Sequence, residues 1–183
     1  MVSDVLPARE LVGAGGERVA IPDAERLVHL QFRRFAGCPV CNLHLHSVAE
    51  RHDELVAANV REVVVFHSTL KELAEHASAF PFTVVADPGK RLYREFGVGT
   101  APAAMLHPRV LLPEVRASAH LARRLLKGEQ RLPPMRPSGG HWSLPADFLI
   151  GTDGRVLGSA HGAHAYDQWS VDEVLALARS AQR

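Results

Sequence analysis

The chain has 183 residues, of which 46% are hydrophobic and 22% are charged, and its formal net charge is +1 at pH 7. This length predicts one domain with one substantial core, and the nearly neutral balance argues against bulk attraction to nucleic acid or to a membrane surface. No apolar run approaches the roughly 20 residues of a bilayer-spanning helix, and no basic stretch and hydrophobic segment open the sequence, so we expect a cytoplasmic protein.

Short apolar runs alternate with helical patterns along the chain, which is typical of an α/β layer fold. A small hairpin is predicted over 8–22, followed by strands at 26–34, 60–68, 82–87, 147–151 and 155–162. Helices are predicted at 39–59, 69–79, 88–96 and 169–181. Asp153 and Gly154 predict a tight turn between the last two strands. Ser170, with Glu173 three residues later, predicts a capping box at the start of the last helix.

Residues 101–142 interrupt this alternation. The segment is rich in proline and glycine at both ends and has a helical pattern from about Pro113 to Lys127. Because it could not bury enough surface alone, we expect an insertion within a single domain spanning 1–183. Its basic residues predict a solvated helix face rather than a nucleic-acid site, since no aromatic residues are interleaved among them.

The two cysteines of the chain, Cys38 and Cys41, lie where the strand predicted at 26–34 gives way to a helix. In a reducing compartment, so close a pair is poor evidence for a structural disulfide. A Cys-x-x-Cys between a strand and a helix in an α/β protein is typical of a thioredoxin-like redox motif. The unpaired N–H groups and partial positive charge of a helix N-terminus favour thiolate over thiol. We therefore expect a redox pair at a helix N-terminus beyond the end of a central strand.

Helix geometry predicts that the two cysteines differ. Cys38, at the end of the helix, is expected to be the exposed attacking thiolate. Cys41, one turn further in, shares a helix face with Leu45 and Val48 and is expected to be the more buried resolving cysteine. The pair would then cycle between a dithiol and a Cys38–Cys41 disulfide, and this cycle needs no bound cofactor.

His44 and His46 raise an alternative, because they complete a notional Cys-x-x-Cys-x-x-His-x-His set of zinc ligands. Helix residues two apart point in divergent directions, which suits a tetrahedral site badly, so we expect no metal. His44, three residues after Cys41, could instead stabilise a thiolate when protonated, although an exposed helix histidine is the commoner case. The alternative function is a non-enzymatic module with a zinc-binding or inert cysteine pair and a partner-binding insertion.

Three stretches, "FRRFAGCPVCNLHL" (32–45), "FTVVADPGKRLYREFGV" (82–98) and "GGHWSLPADFLIGTDGRV" (139–156), carry a family resemblance. With the closing amphipathic helix, they resemble the peroxiredoxin-like branch of the alkyl hydroperoxide reductase / thiol-specific antioxidant family, in the thioredoxin superfamily. The resemblance implies a thioredoxin-like fold with a central mixed sheet flanked by helices. It also implies a hydroperoxide, or a protein or small-molecule disulfide, as substrate and a thioredoxin- or glutathione-type reductant, and it is compatible with a homodimer.

The chain departs from the family motif Pro-x-x-x-Thr-x-x-Cys. Laid without gaps, the motif places the peroxide-attacking cysteine on Cys41, the threonine on Cys38 and the proline on Arg34. The family's activating arginine falls near Pro145 and is absent, which leaves Arg33 and Arg34, beside the loop, as candidates to replace it.

Pro145 resembles instead the proline that thioredoxin-fold oxidoreductases hold in cis beside their cysteines, where it helps to dock a disulfide. We therefore expect Pro145 to follow a cis peptide bond close to the cysteine loop and to position the substrate. The two resemblances disagree about the attacking cysteine. We expect Cys38, because the residues that equip a peroxide pocket are missing.

Overall fold

The computed structural model describes residues 4–76, 80–101, 108–128, 132 and 136–182. Its strands are β1 (Arg9–Val12), β2 (Arg18–Ile21), β3 (Leu27–Arg33), β4 (Val60–Phe66), β5 (Thr83–Ala86), β6 (Ala146–Ile150) and β7 (Val156–His161). Its helices are α1 (Pro39–Glu50), α2 (His52–Ala57), α3 (Leu70–His76), α4 (Arg91–Glu95), α5 (Pro108–Leu126) and α6 (Val171–Ala181). Each strand and the N-terminal hairpin lie where the sequence pattern predicts them.

The central sheet has the strand order β5-β4-β3-β6-β7. Strands β3, β4 and β5 are parallel, whereas β6 runs antiparallel to β3, and β7 antiparallel to β6. All residues of β3 are buried, as expected for a parallel strand covered by helices on both faces. Gly154 adopts φ +85° in the turn before β7, which explains why a glycine stands there. The predicted mixed sheet flanked by helices is confirmed.

Side chains of the sheet alternate between two cores. On one face, Phe32 and Val65 pack with the β1–β2 hairpin and with α4. On the other face, Val64 and Phe66 pack with α1 and with Ala117 of α5. Both cysteines belong to this second core, so the helix that carries them lies against the sheet and beneath α5.

Two helix predictions need correction. The pattern over 39–59 predicts one helix, but Arg51 leaves helical geometry at φ −112° and ψ 20°, so α1 and α2 are separate. Within the described residues, helix α5 runs from Pro108 rather than from near Pro113. The predicted capping box of α6 is confirmed. Among the described helices, none combines the length and apolarity that crossing a membrane requires.

Candidate active site at the cysteine pair

Residues 34–38 connect the end of β3 to the first turn of α1. Cys38 is the N-cap residue of α1, and its Sγ accepts a hydrogen bond from the backbone N–H of Cys41 at 3.4 Å. The N–H of Cys38 in turn donates to the carbonyl oxygen of Phe35 at 3.1 Å. The loop is therefore a closed turn, and the prediction that both cysteines lie at a helix N-terminus beyond a central strand is confirmed.

Both sulfurs are buried, which contradicts the expectation of an exposed Cys38. The relative exposure of Cys38 is 0% and that of Cys41 is 1%. Ala117 of α5 and Phe35 pack in the same cluster as the two cysteines. The exposure prediction was wrong because the helix-face argument takes account of α1 and the sheet only, whereas α5 covers the N-terminus of α1 from outside.

The two thiols differ in acidity, in the order opposite to the one expected. Burial opposes ionisation of Cys41, but a hydrogen bond from Cys38 and the charge and backbone N–H of Arg34 lower the pKa of Cys41 to about 7. Burial and the hydrogen bond to Cys41 raise the pKa of Cys38 well above its usual value. Cys41 is therefore the more acidic thiol of the pair, which agrees with the gapless match to the family motif.

Two arginines flank the loop, and within the described residues only Arg33 pairs with a carboxylate. Arg33 Nη2 lies 2.6 Å from Asp147 Oδ1, and both side chains are buried. Arg34 donates from Nε and Nη2 to the carbonyl oxygen of His141, at 3.1 and 2.9 Å. No ion pair found within the described ranges involves Arg34. The charge of Arg34 is therefore left to act on Cys41, although Arg34 stands where the family motif has proline.

A buried array of charged side chains lies behind the cysteine loop. His29 Nδ1 is 2.9 Å from Glu62 and His29 Nε2 is 3.1 Å from Asp147, which also holds Arg33. Burial opposes protonation of His29, but these two carboxylates raise its pKa to about 9. Despite the same burial, Arg33 and His29 hold the pKa of Asp147 far below its usual range. Two cations thus balance two anions inside the protein.

The array was missed in the sequence because β3 reads as an apolar strand. A signal was nevertheless present: His29, Gln31 and Arg33 alternate along β3, and a period of two places all three on one face of the sheet. Their partners Glu62 and Asp147 come from the neighbouring strands β4 and β6. Only the sheet order brings these five residues together.

His44 has a different role from the one expected. It is buried, with Nε2 3.3 Å from Arg33 Nη2, and burial together with the charge of Arg33 lowers its pKa to about 3. The expectation that protonated His44 stabilises the thiolate is therefore wrong. His46 turns away and packs against Phe80 and His120, as the divergent directions predict. Across the described ranges, no group of three His, Cys, Asp or Glu residues is placed to hold a metal ion.

Pro145 immediately precedes β6, whose first residue, Ala146, pairs with Phe32 near the end of β3. The only cis peptide bond among the described residues precedes Pro22, so the bond before Pro145 is trans and the expected cis bond is wrong. A trans proline fits here because the start of a strand needs no N–H from it, while its carbonyl accepts from Gly162 at 2.9 Å. The argument for a disulfide-docking proline is thereby removed, and a positioning role for Pro145 stays a prediction.

The acidity of Cys41 predicts a pH profile. The rate at which hydrogen peroxide oxidises the reduced protein should rise through pH 7 and level off above it, because the pKa of the Cys41 thiol is about 7. Stopped-flow measurements across this pH range, with thiolate absorbance as a second signal, test the expectation. In Cys41→Ser, the step should disappear, since the pKa of the remaining Cys38 is raised by burial. A step near pH 7 that survives in Cys41→Ser would assign the thiolate to Cys38.

The fold is similar to those of solved peroxiredoxins. The chain superposes over 98% of its length on 96% of peroxidoxin BcpB from Mycobacterium tuberculosis, with a TM-score of 0.65 and 16% identity. For the 2-Cys peroxiredoxin of Plasmodium vivax, the coverages are 99% and 81%, the TM-score 0.66 and the identity 16%. A putative thiol:disulfide interchange protein DsbE from Chlorobium tepidum superposes on 97% of this chain over 98% of its own length. The TM-score is 0.56 and the sequence identity is 20%. At these identities, the likeness shows the fold, which is thioredoxin-like.

No curated protein matches the chain by sequence. The family model described as AhpC/TSA antioxidant enzyme matches residues 44–161, which is more than half of the chain. The matched stretch begins after Cys41, so the cysteine pair itself stands outside it. The chain therefore belongs to the AhpC/TSA antioxidant enzyme family and is a thiol-dependent oxidoreductase of the peroxiredoxin type.

Proposed function

We propose that the protein reduces a hydroperoxide, with Cys41 as the attacking thiolate and Cys38 as the resolving cysteine. The observation that carries this proposal is the difference in acidity between the two thiols. Cys41 has a pKa of about 7, whereas the pKa of Cys38 is raised, and the two side chains share a hydrogen bond. The order of attack is the reverse of the one that helix geometry predicts, because the hydrogen bond between the two side chains favours the thiolate at Cys41, and the charge and the backbone N–H of Arg34 add to this effect.

The two cysteines supply the two electrons and the protons that the reduction of a hydroperoxide needs. The Cys41 thiolate attacks the terminal oxygen of ROOH, the O–O bond breaks, and Cys41 becomes a sulfenic acid while RO⁻ takes the proton of Cys38. The Cys38 thiolate then attacks the Cys41 sulfur, the S–O bond breaks, and hydroxide leaves as the disulfide forms. Hydroxide recombines with the proton that Cys41 released on ionisation. The substrate gains two electrons to give ROH and water, and the cysteine pair loses two.

Burial of the pair favours a hydroperoxide over a protein disulfide as oxidant. Exposures of 0% and 1% leave no sulfur at the surface for a bulky disulfide to reach, whereas the reacting end of a hydroperoxide is small. The trans bond before Pro145 gives no support to disulfide docking. We place the cycle in the cytoplasm, with a thioredoxin-type dithiol restoring the pair, and we propose one domain over 1–183 in which the 101–142 insertion shields the cysteines.

Single-cysteine variants test the proposal. At pH 7, a thiol with a pKa of about 9 or more is ionised to roughly 1%, against about half for a pKa near 7, so Cys41→Ser should lose roughly 50-fold or more in the rate with hydrogen peroxide. Cys38→Ser keeps a hydrogen-bond donor and should still form a sulfenic acid, which dimedone traps. The wild-type protein should instead give the Cys38–Cys41 disulfide.

Three other outcomes would contradict the proposal. Loss of peroxide reactivity in Cys38→Ser but not in Cys41→Ser would reverse the assignment of the cysteines. Rapid reaction with a model disulfide but not with peroxides would point to thiol-disulfide exchange. Equal and slow reactivity of both variants would mean that the pair is not a peroxidase centre.

A further inference from the structure

His67, which directly follows β4, is buried next to the cysteine loop. Its N–H donates to the carbonyl oxygen of Arg34 at 3.3 Å, and the residue is 0% exposed. Neither ring nitrogen has a hydrogen-bond partner among the described residues. Burial and the charges of Lys90 and Arg34 lower the pKa of His67 to about 4, so the ring is neutral and offers one donor and one acceptor. A buried polar group of this kind is uncommon in proteins unless a ligand or water satisfies it.

Beside His67 stand two cations that have no carboxylate partner among the described residues. Arg34 is 4% exposed and donates to a neutral carbonyl oxygen, and Lys90 Nζ donates to Ser143 Oγ at 2.9 Å. Within the part of the chain that the structure describes, neither cation takes part in an ion pair. Positive charge that is partly withdrawn from water and not neutralised by the protein attracts an anion.

The acidic residues near His67 are already engaged. Glu72, whose charge acts on His67, accepts hydrogen bonds from Thr69 and Ser138. Asp87 accepts the backbone N–H groups of Arg91 and Leu92 at the start of α4. These carboxylates are held by neutral donors, and within the described residues neither forms an ion pair with Arg34 or Lys90.

One short segment, residues 138–143, covers all three groups. His141 accepts from Arg34, and Ser143 accepts from Lys90. Gly139 lies so close to His67 that a Cβ there would be 2.3 Å from Nδ1, which explains the absence of a side chain at this position. Arg34, whose carbonyl oxygen accepts from the N–H of His67, also acts on Cys41, so this cluster reaches the thiolate through Arg34.

We propose that His67 and Lys90, beside Arg34, form a subsite for a carboxylate group of the hydroperoxide substrate. The carboxylate would accept hydrogen bonds from the imidazole N–H and the Lys90 ammonium and would neutralise the charge of Lys90, while the charge of Arg34 stays with the Cys41 thiolate. The preferred oxidant is then the hydroperoxide of a carboxylic acid rather than hydrogen peroxide. This inference rests on the proposed peroxidase function.

The test compares two hydroperoxides of the same shape, cumene hydroperoxide and its 4-carboxy derivative, in stopped-flow oxidation of the reduced protein. Since hydrogen bonds to charged groups are the stronger ones, the carboxylated compound should react on the order of tenfold faster in second-order rate constant. Lys90→Met should bring the ratio of the two rate constants close to one, and Lys90→Arg should largely restore it. Lys71→Met, which removes an exposed lysine of α3, should leave the ratio as in the wild-type protein.

A second measurement uses only the wild-type protein and so does not depend on the folding of a variant. Here 4-isopropylbenzoate, which has the carboxylate but no hydroperoxide, should slow the oxidation by cumene hydroperoxide, whereas isopropylbenzene should not. Equal rate constants for the two hydroperoxides in the wild-type protein, or a preference that Lys90→Met does not change, would overturn the subsite. Failure of cumene hydroperoxide to oxidise Cys41 at all would instead overturn the proposed function.

Discussion

Replacing Arg34 by glutamine is expected to raise the pKa of Cys41 and to slow its oxidation by hydrogen peroxide at pH 7 by about fivefold or more. A nearby opposite charge typically changes a pKa by about 1 to 3, and Arg34 is the flanking arginine whose charge Asp147 does not neutralise. The thiolate fraction of Cys41 at pH 7 would then fall from about half to roughly a tenth or less. Stopped-flow rates measured as a function of pH give both the rate and the pKa.

Two comparisons separate the charge of Arg34 from its packing. Arg34→Lys keeps a positive charge but loses the paired donation from Nε and Nη2 to His141, so it should retain most of the acidity of Cys41. In Arg34→Gln, the rate should recover as the pH rises above the new pKa, which a misfolded site would not allow. An unchanged pH midpoint in Arg34→Gln would show that the acidity of Cys41 has another source.

Replacing Asp147 by asparagine is expected to destabilise the protein by about 3 to 5 kcal/mol, because it leaves Arg33 and His29 as buried cations with one carboxylate fewer. Denaturant unfolding at pH 7 measures the change. The matched control is Asp172→Asn, which removes an exposed carboxylate that lies 2.9 Å from Arg51. A surface ion pair of this kind contributes at most about 1 kcal/mol, so the control should unfold nearly as the wild-type protein does.

The pH dependence of stability gives this prediction a second signature. The pKa of His29 is raised from 6.5 to about 9 in the folded protein, so the stabilisation by its protonated form is fully present below pH 6.5 and is lost as the pH rises towards about 9. In Asp147→Asn, one of the two anions that hold this proton is gone, and the loss should shift to lower pH. A stability profile of Asp147→Asn parallel to that of the wild-type protein would mean that His29 does not depend on Asp147 for its proton.

The sequence by itself determined the features that depend on residues close together in the chain. The alternation of apolar runs and helical patterns predicted the strands, and the Ser170–Glu173 spacing predicted the cap of α6. The position of Cys38 and Cys41 at a helix N-terminus follows from an apolar strand, a turn and Pro39 in succession. These signals act over one or two turns of chain, so they do not depend on what packs around them.

The tertiary structure alone decided burial and charge, since these depend on residues far apart in the chain. Cys38 is covered because α5, some 80 residues later, packs over α1 and brings Ala117 into the same core. Cys41 became the more acidic thiol because the folded loop brings the hydrogen bond from Cys38 and the charge of Arg34 to its sulfur, while Asp147, 114 residues beyond Arg33, pairs with that arginine. The free energy of a charge depends on every group within a few ångströms and on the exclusion of water. Neither quantity can be obtained from spacing along the chain, and both are set when the strands and helices come together.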